Sequence, residues 1–327
     1  MGIKNDVVLE YLKDRTRFAD LYNGGCFGGE QIVSAEELME GSEVYHQKDL
    51  RQNQDPAKSK NSEKKDRRET SVKIRDVKKR LKSGENLRIL AIESQLLEDY
   101  TMPWRHMNYD VLEYGTQIKE IKSQNEKEKR LKPGEEFLCG LTKEDRLDPV
   151  YTVCLYFGEK PWQGPRSLRD MMNAGAVKEP WKKWFADYQM NLICVNELED
   201  FSMFHTSLRQ LFLILANRED KTKLEIAIES DPGFKELDEE TARVAGVLIG
   251  AEKFMEERIK QEGGTVDMCT ALKQLRAEGH AEGHAEGINL LNALNQKLVQ
   301  DDRMDDLLKA MADVEFQKQL LEEYKLV

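Results

Sequence analysis

The chain of 327 residues has no long apolar run. The longest, Leu211 to Ala216, is six residues, where about 20 are needed to cross a bilayer, so a membrane span is excluded. Cysteine is sparse and scattered: Cys26, Cys139, Cys154, Cys194 and Cys269 form no CxxC pair and carry no zinc signature. The phosphate-cradling patterns GxxxxGK[ST] and GxGxxG are missing, which leaves turn geometry as the reason for the glycines of NGGCFGGE. His280 and His284 have the i, i+4 spacing of a zinc pair but lack HExxH and read as solvated, while His46, His106 and His205 suggest no triad. Acidic residues interrupt MGIKNDVVLEYLKDR where a secretory signal needs a continuous apolar core. With an odd cysteine count, the expectation is a cytoplasmic protein with reduced thiols.

Charge is what the chain has in abundance: 50 Lys+Arg against 61 Asp+Glu, a formal net of −11. That total argues against a polyanionic partner, but a binding groove responds to local charge. Residues 56–82 hold 12 basic and 4 acidic side chains, net +8, whereas residues 197–327 are net −12. Eleven Phe, ten Tyr and four Trp exclude wholesale disorder. At roughly 100–200 residues per domain, the length suggests two domains or one with a long appendage.

Apolar positions at three- and four-residue steps from Val7 to Leu21 predict a first helix, stopped at Gly24 and Gly25. Residues 46–70 have almost no apolar side chain and read as a basic loop. TSVKIRDV and NLRILAIESQ are β-rich and joined by turn formers, predicting neighbouring strands. Residues 99–122 predict a helix starting near Pro103, with Met107, Val111, Leu112, Tyr114 and Ile118 on the side facing the sheet. PVYTVCLYFG and MNLICVNEL predict core strands. The expected fold is therefore an α/β mixed-sheet domain over 1–200, followed by a helical region over 201–327 used for packing or assembly. The repeat AEGHAEGHAEG (277–287) must be helical or disordered.

Asp76, Glu93 and Gln95 form the constellation of most interest. On a strand, residues two apart share a face, so Glu93 and Gln95 point together and a neighbouring strand brings Asp76 beside them. Two carboxylates at the end of a strand as apolar as Ile89–Ile92 are costly without a partner, and Mg²⁺ is a partner that takes one or two carboxylates, waters and a substrate phosphate. The alternative is an ordinary strand end with solvated acids.

The blocks IRDV, LAIESQ, DYTMPWRHMNYDVLEYGTQI and PVYTVCLYFGEKPWQGPRSLRDMM, in that order and spacing, closely resemble the Rpn-like recombination-promoting nuclease and putative transposase family of the PD-(D/E)xK nuclease superfamily. NDVVLEYLKDRTRFADLYN and DMCTALKQLRAEG extend the resemblance over most of the chain. It implies a restriction-endonuclease-like core and a Mg²⁺-dependent (Mn²⁺ possible) DNA endonuclease linked to recombination, mobile elements or defence. Asp76 and Glu93 would hold the metal. Gln95 stands where the superfamily usually has Lys; an amide cannot titrate, so it would orient water or a phosphate oxygen. Asp6 and Gln117 match family positions as well. Lys73, Arg75, Lys78, Lys79, Arg80 and Arg105 are the expected contacts to the DNA backbone, which are independent of base sequence. The rival expectation is a catalytically inactive DNA-binding or assembly protein on the same fold, and the C-terminal helices are the expected route to a homo-oligomer.

Overall fold

The computed structural model describes residues 3–41, 44–47, 71–74, 76–84 and 86–326. Most of the basic loop of 46–70, and Arg75, lie outside the described residues.

Helix α1 (Ile3–Tyr11) is followed by α2 (Arg15–Phe27). Asp14 caps α2 by accepting from the backbone N–H of Thr16 and Arg17, both at 3.0 Å. The expected stop at Gly24 and Gly25 does not occur; α2 runs to Phe27 and ends at Gly28, whose φ of 62° closes the helix. The two glycines serve packing instead. A Cβ on Gly24 would lie 2.4 Å from the Phe204 ring, and one on Gly25 would lie 2.2 Å from Ile193.

The strands β1 (Leu38–Glu40), β2 (Val44–Gln47), β3 (Ser71–Ile74), β4 (Val77–Ser83) and β5 (Asn86–Gln95) precede the long helix α3 (Met102–Lys127) and the short α4 (Glu135–Cys139). Strands β6 (Val150–Tyr156) and β7 (Asn191–Cys194) complete a five-stranded mixed sheet of order β1-β4-β5-β6-β7. Its first three strands are antiparallel, and β5, β6 and β7 are parallel, with α3 in the β5–β6 crossover. TSVKIRDV is thus two strands rather than one, since β3 pairs with β2 in a separate ribbon.

One face of the sheet, with Val77, Leu90, Ile92, Val153 and Leu155, carries the main core. It packs on α1 and α2 and on a C-terminal group: α5 (Leu208–Asn217), α6 (Lys221–Ser230), β8 (Leu237–Asp238), α7 (Glu239–Ile249), α8 (Glu252–Glu262), β9 (Thr265–Val266) and the first turns of α9 (Met268–Gln300). The core is continuous across residue 200, so the expected boundary there marks a change of secondary structure and not a break in packing. The AEGH repeat is helical, within α9, and Ala277, Ala281 and Ala285 are exposed rather than pressed against another helix. The far end of α9 joins α10 (Met304–Ala312) and α11 (Val314–Glu323) in a small separate cluster around Leu294, Leu298 and Leu320.

A polar clasp ties the two ends of the main core together. Tyr11 Oη and Thr241 Oγ1 are 2.8 Å apart; Asp238 accepts from Thr241 N at 3.0 Å, capping α7, and from Arg17 at 3.1 Å. Burial pushes the Asp238 carboxyl up, but hydrogen bonds from Ser207 and Thr241 and the Arg17 charge outweigh it and hold it below the usual range. A depressed folded value means the charged form stabilises the fold above the ordinary carboxylate pKa of about 3.9, and that this contribution is lost as pH falls through the folded value. Asp238→Asn is therefore expected to lower Tm at pH 7 and to converge on the parent in acid below about pH 3.9; parallel Tm–pH curves for the two would contradict this.

Candidate active site at the end of β5

The face of the sheet beneath α3 is unlike the core face. Helix α3 turns Met102, His106, Asp110 and Glu113 inward, while Val111, expected against the sheet, is 60% exposed. Of the expected apolar stripe Tyr114 does reach the sheet, its Oη accepting from Val150 N at 3.2 Å, while Val111 is displaced because the sheet offers polar partners to the inward side of the helix. Lys78 Nζ lies 3.0 Å from Glu113 Oε2, with both side chains buried. Asp110 accepts from Thr152 Oγ1 and from Tyr188 Oη, each at 2.6 Å.

At the open end of this layer stand the residues singled out in the sequence. Val77 pairs with Ile92, so carrying the antiparallel register one step on sets Asp76 across from Glu93. Strand alternation puts Gln95 on the face of Glu93. Asp76 Oδ2 accepts from Ser94 N at 2.8 Å, and Ser94 Oγ donates to Asn5 Oδ1 of α1 at 3.0 Å. That second bond seats the first turn of α1 over the strand end, and the exposed Asp6 comes close enough to act on Asp76. Burial, with a smaller contribution from the Asp6 charge, raises the Asp76 carboxyl above its ordinary range, against the Ser94 hydrogen bond and the Arg105 charge.

Glu93 is fully buried, with Oε2 3.5 Å from an Arg105 guanidinium nitrogen. The same guanidinium reaches Asp99 at 2.7 Å. Tyr109, one helical turn further along α3, has its phenol raised by burial and then by the Glu93 charge, so it stays protonated at neutral pH.

The structure therefore gathers Asp6, Asp76, Glu93, Gln95 and Arg105 and leaves other expected residues elsewhere. Gln117 clamps the chain before β6, accepting from Asp148 N at 2.8 Å and donating to Asp148 O at 3.1 Å. It lies 12 residues from Arg105, about 18 Å along the helix axis. Lys78 and Lys79 are corrections to the expected phosphate-binding surface: both are buried on opposite faces of β4, Lys78 on Glu113 and Lys79 on Glu40 at 2.9 Å. An apolar-rich sheet needs such long cationic side chains paired once they are inside. Arg80 is half-buried, Lys73 pairs through its backbone with Tyr45, and Arg75 lies outside the described residues. Asn5 and Asp99 escaped the sequence reading; Asp99 four residues past Gln95, just ahead of a helix start, was the available signal for the second.

Among the described residues no group of three or more His, Cys, Asp or Glu side chains is arranged to hold a metal ion. The donors present fit a hard cation taking two carboxylates with water and a phosphate to complete its shell: Asp76 and Glu93 are adjacent, and carboxylate charge is concentrated enough that Asp6 disfavours ionisation of Asp76. Compared with family models, curated proteins and solved structures, the chain matches none. No helix among the described residues is long and apolar enough to cross a membrane.

Proposed function

We propose that the protein is a Mg²⁺-dependent DNA endonuclease of the Rpn-like, PD-(D/E)xK type, acting in recombination, mobile elements or defence. The observation that carries this reading is the β4–β5 register, which sets Asp76 opposite Glu93 with Gln95 on the same face at a strand end. The mixed sheet, antiparallel through β5 and parallel beyond the α3 crossover, supports a restriction-endonuclease-like core. Asp76 and Glu93 would hold Mg²⁺, or Mn²⁺ in its place, which supplies charge neutralisation at the phosphate and water of lowered pKa. Gln95 orients water or a phosphate oxygen by hydrogen bonding, since its amide cannot carry a proton away. Arg105, braced by Asp99, fixes the Glu93 carboxylate. Tyr109 keeps its phenol protonated and accepts a hydrogen bond from Arg105, which steadies the guanidinium beside Glu93. With Lys78 and Lys79 internal, contact to the DNA backbone falls to Lys73, Arg75, Arg80 and Arg105.

The test is nicking of supercoiled plasmid by the purified chain with Mg²⁺ and with EDTA. Asp76→Asn and Glu93→Gln are each expected to lower the Mg²⁺-dependent rate about 100-fold or more, and undiminished cleavage by either variant would remove the assigned site. The complete burial of Glu93 against Arg105 favours the second reading, a catalytically inactive DNA-binding protein. Salt-sensitive DNA binding without metal-dependent nicking would select it. Self-association through the C-terminal helices belongs to the same proposal, supported by Leu308 and Met311 of α10, which are 61% and 69% exposed.

A further inference from the structure

The connection from β6 to β7 carries a feature that the proposed chemistry does not use. Its tip is a 3-10 turn, Trp181–Trp184, of sequence WKKW. Trp181 is 70% exposed and Trp184 79% exposed. Indoles dominate the energetics of cores and interfaces when covered, and two on one exposed turn call for a partner. In a 3-10 helix, side chains at i and i+3 eclipse, so the two tryptophans are attached on the same side of the turn, their Cα atoms about 6 Å apart along its axis. That spacing is close to the roughly 6.8 Å occupied by two successive base-stacking steps. Lys182 and Lys183 stand exposed between them, with Lys183 Nζ 5.7 Å from the Trp184 ring centroid.

The arm bearing this turn is anchored rather than loose. Its outgoing limb packs Trp162 edge-on against Tyr156, ring centroids 5.0 Å apart, in a buried cluster that includes Met102 at the start of α3. Gln163 N donates to Glu98 Oε1 at 2.5 Å. Its returning limb is held by Arg169, 3.6 Å from Asp187 and 5.9 Å from the Phe185 ring centroid. Because β6 runs parallel to β5 with Tyr156 beside Gln95, the arm leaves the sheet at the same end of the strands as the candidate site.

We propose that this turn is a stacking platform for unpaired bases, and that the chain holds single-stranded or locally opened nucleic acid beside the acids of β5. The ligand class is chosen by the pairing of two exposed indoles on one turn with two exposed lysines, which suits bases and the phosphates between them; every base has a π-face, so recognition is tolerant of sequence. The inference rests on the nuclease reading only for its placement beside a phosphodiester-cleaving site, since binding is measured without metal.

The test is fluorescence anisotropy of fluorescein-labelled dT20 and of a 20-base-pair duplex, in EDTA, with the full chain and with the Trp181→Ala/Trp184→Ala double variant. Both side chains are exposed, so the variant is expected to keep the parent Tm. It is expected to weaken dT20 binding about tenfold or more while changing duplex binding less than about threefold. Equal losses on both ligands, or no loss on dT20, would overturn the proposal. Binding to anionic phospholipid vesicles that depends on both tryptophans, without dT20 binding, would overturn it in favour of a lipid surface. Failure of Asp76→Asn to affect nicking, with the dT20 result as expected, would remove the endonuclease and leave the platform standing.

Discussion

A chain ending at residue 200 is expected not to fold. Phe204, Leu208, Leu211, Phe212, Ala242 and Val266 belong to the same core as Val77, Ile92 and Leu155. Phe204 and Phe212 also meet edge to face, with centroids 5.0 Å apart. At about 1.5–3 kcal/mol for each large side chain buried, the lost contacts exceed the roughly 5–15 kcal/mol by which a domain is stable. Urea unfolding followed by near-UV circular dichroism should show no cooperative transition for this truncation, and a sigmoidal curve near the parent midpoint would contradict the continuous core. A chain ending at residue 300 is the contrasting case. It loses α10 and α11, whose cluster is separate from the main one, and should keep the main transition. That shorter chain is therefore the right one for asking, by size-exclusion chromatography, whether the C-terminal helices join copies together.

Glu113→Ala is expected to cost about 3–5 kcal/mol, the penalty of leaving the Lys78 ammonium in the interior without its carboxylate. The side chains are only 4% and 2% exposed, so neither can turn to water without moving α3. Replacing both partners, as Lys78→Met with Glu113→Leu, should recover most of that loss, because an apolar pair of similar volume carries no desolvation cost. Urea midpoints of the parent, single and double variants measure this directly. A single variant as stable as the parent would mean that the pair is reached by solvent.

Strands and helix types were legible because their signals are local: β-branched runs, turn formers and Pro103 at the start of α3 act over a few residues. The clustering of Asp76, Glu93 and Gln95 was legible for the same reason, since strand alternation and a short turn fix it. What could not be read was long-range complementarity. Gly24 and Gly25 look like a helix stop until Phe204 and Ile193 are known to press against them. Lys78 and Lys79 look like solvent-facing cations until Glu113 and Glu40 arrive from other elements. The apolar periodicity of α3 marked its sheet side only in part: Tyr114 reaches Val150 of β6 but Val111 is exposed, because the buried side is selected by hydrogen-bonding partners on the sheet, a property of two segments together. The tryptophans at 181 and 184 gave no periodic signal, lying outside any long helix or strand.

The clasp between α1 and α7 also sets a schedule. Tyr11 meets a residue 230 positions further on, Thr241, so at about 5–20 residues per second the ribosome needs roughly 12–46 s to deliver the partner of the first helix. Through that interval α1 has apolar Val8 and Leu9 to hide and no finished surface to hide them on. Its Asn5 and Asp6 belong to the same helix, so the acids at the end of β5 gain their last neighbour only once α1 is seated, after α7 has been made. A nascent chain of this kind depends on whatever shields its leading helix while the rest is being made.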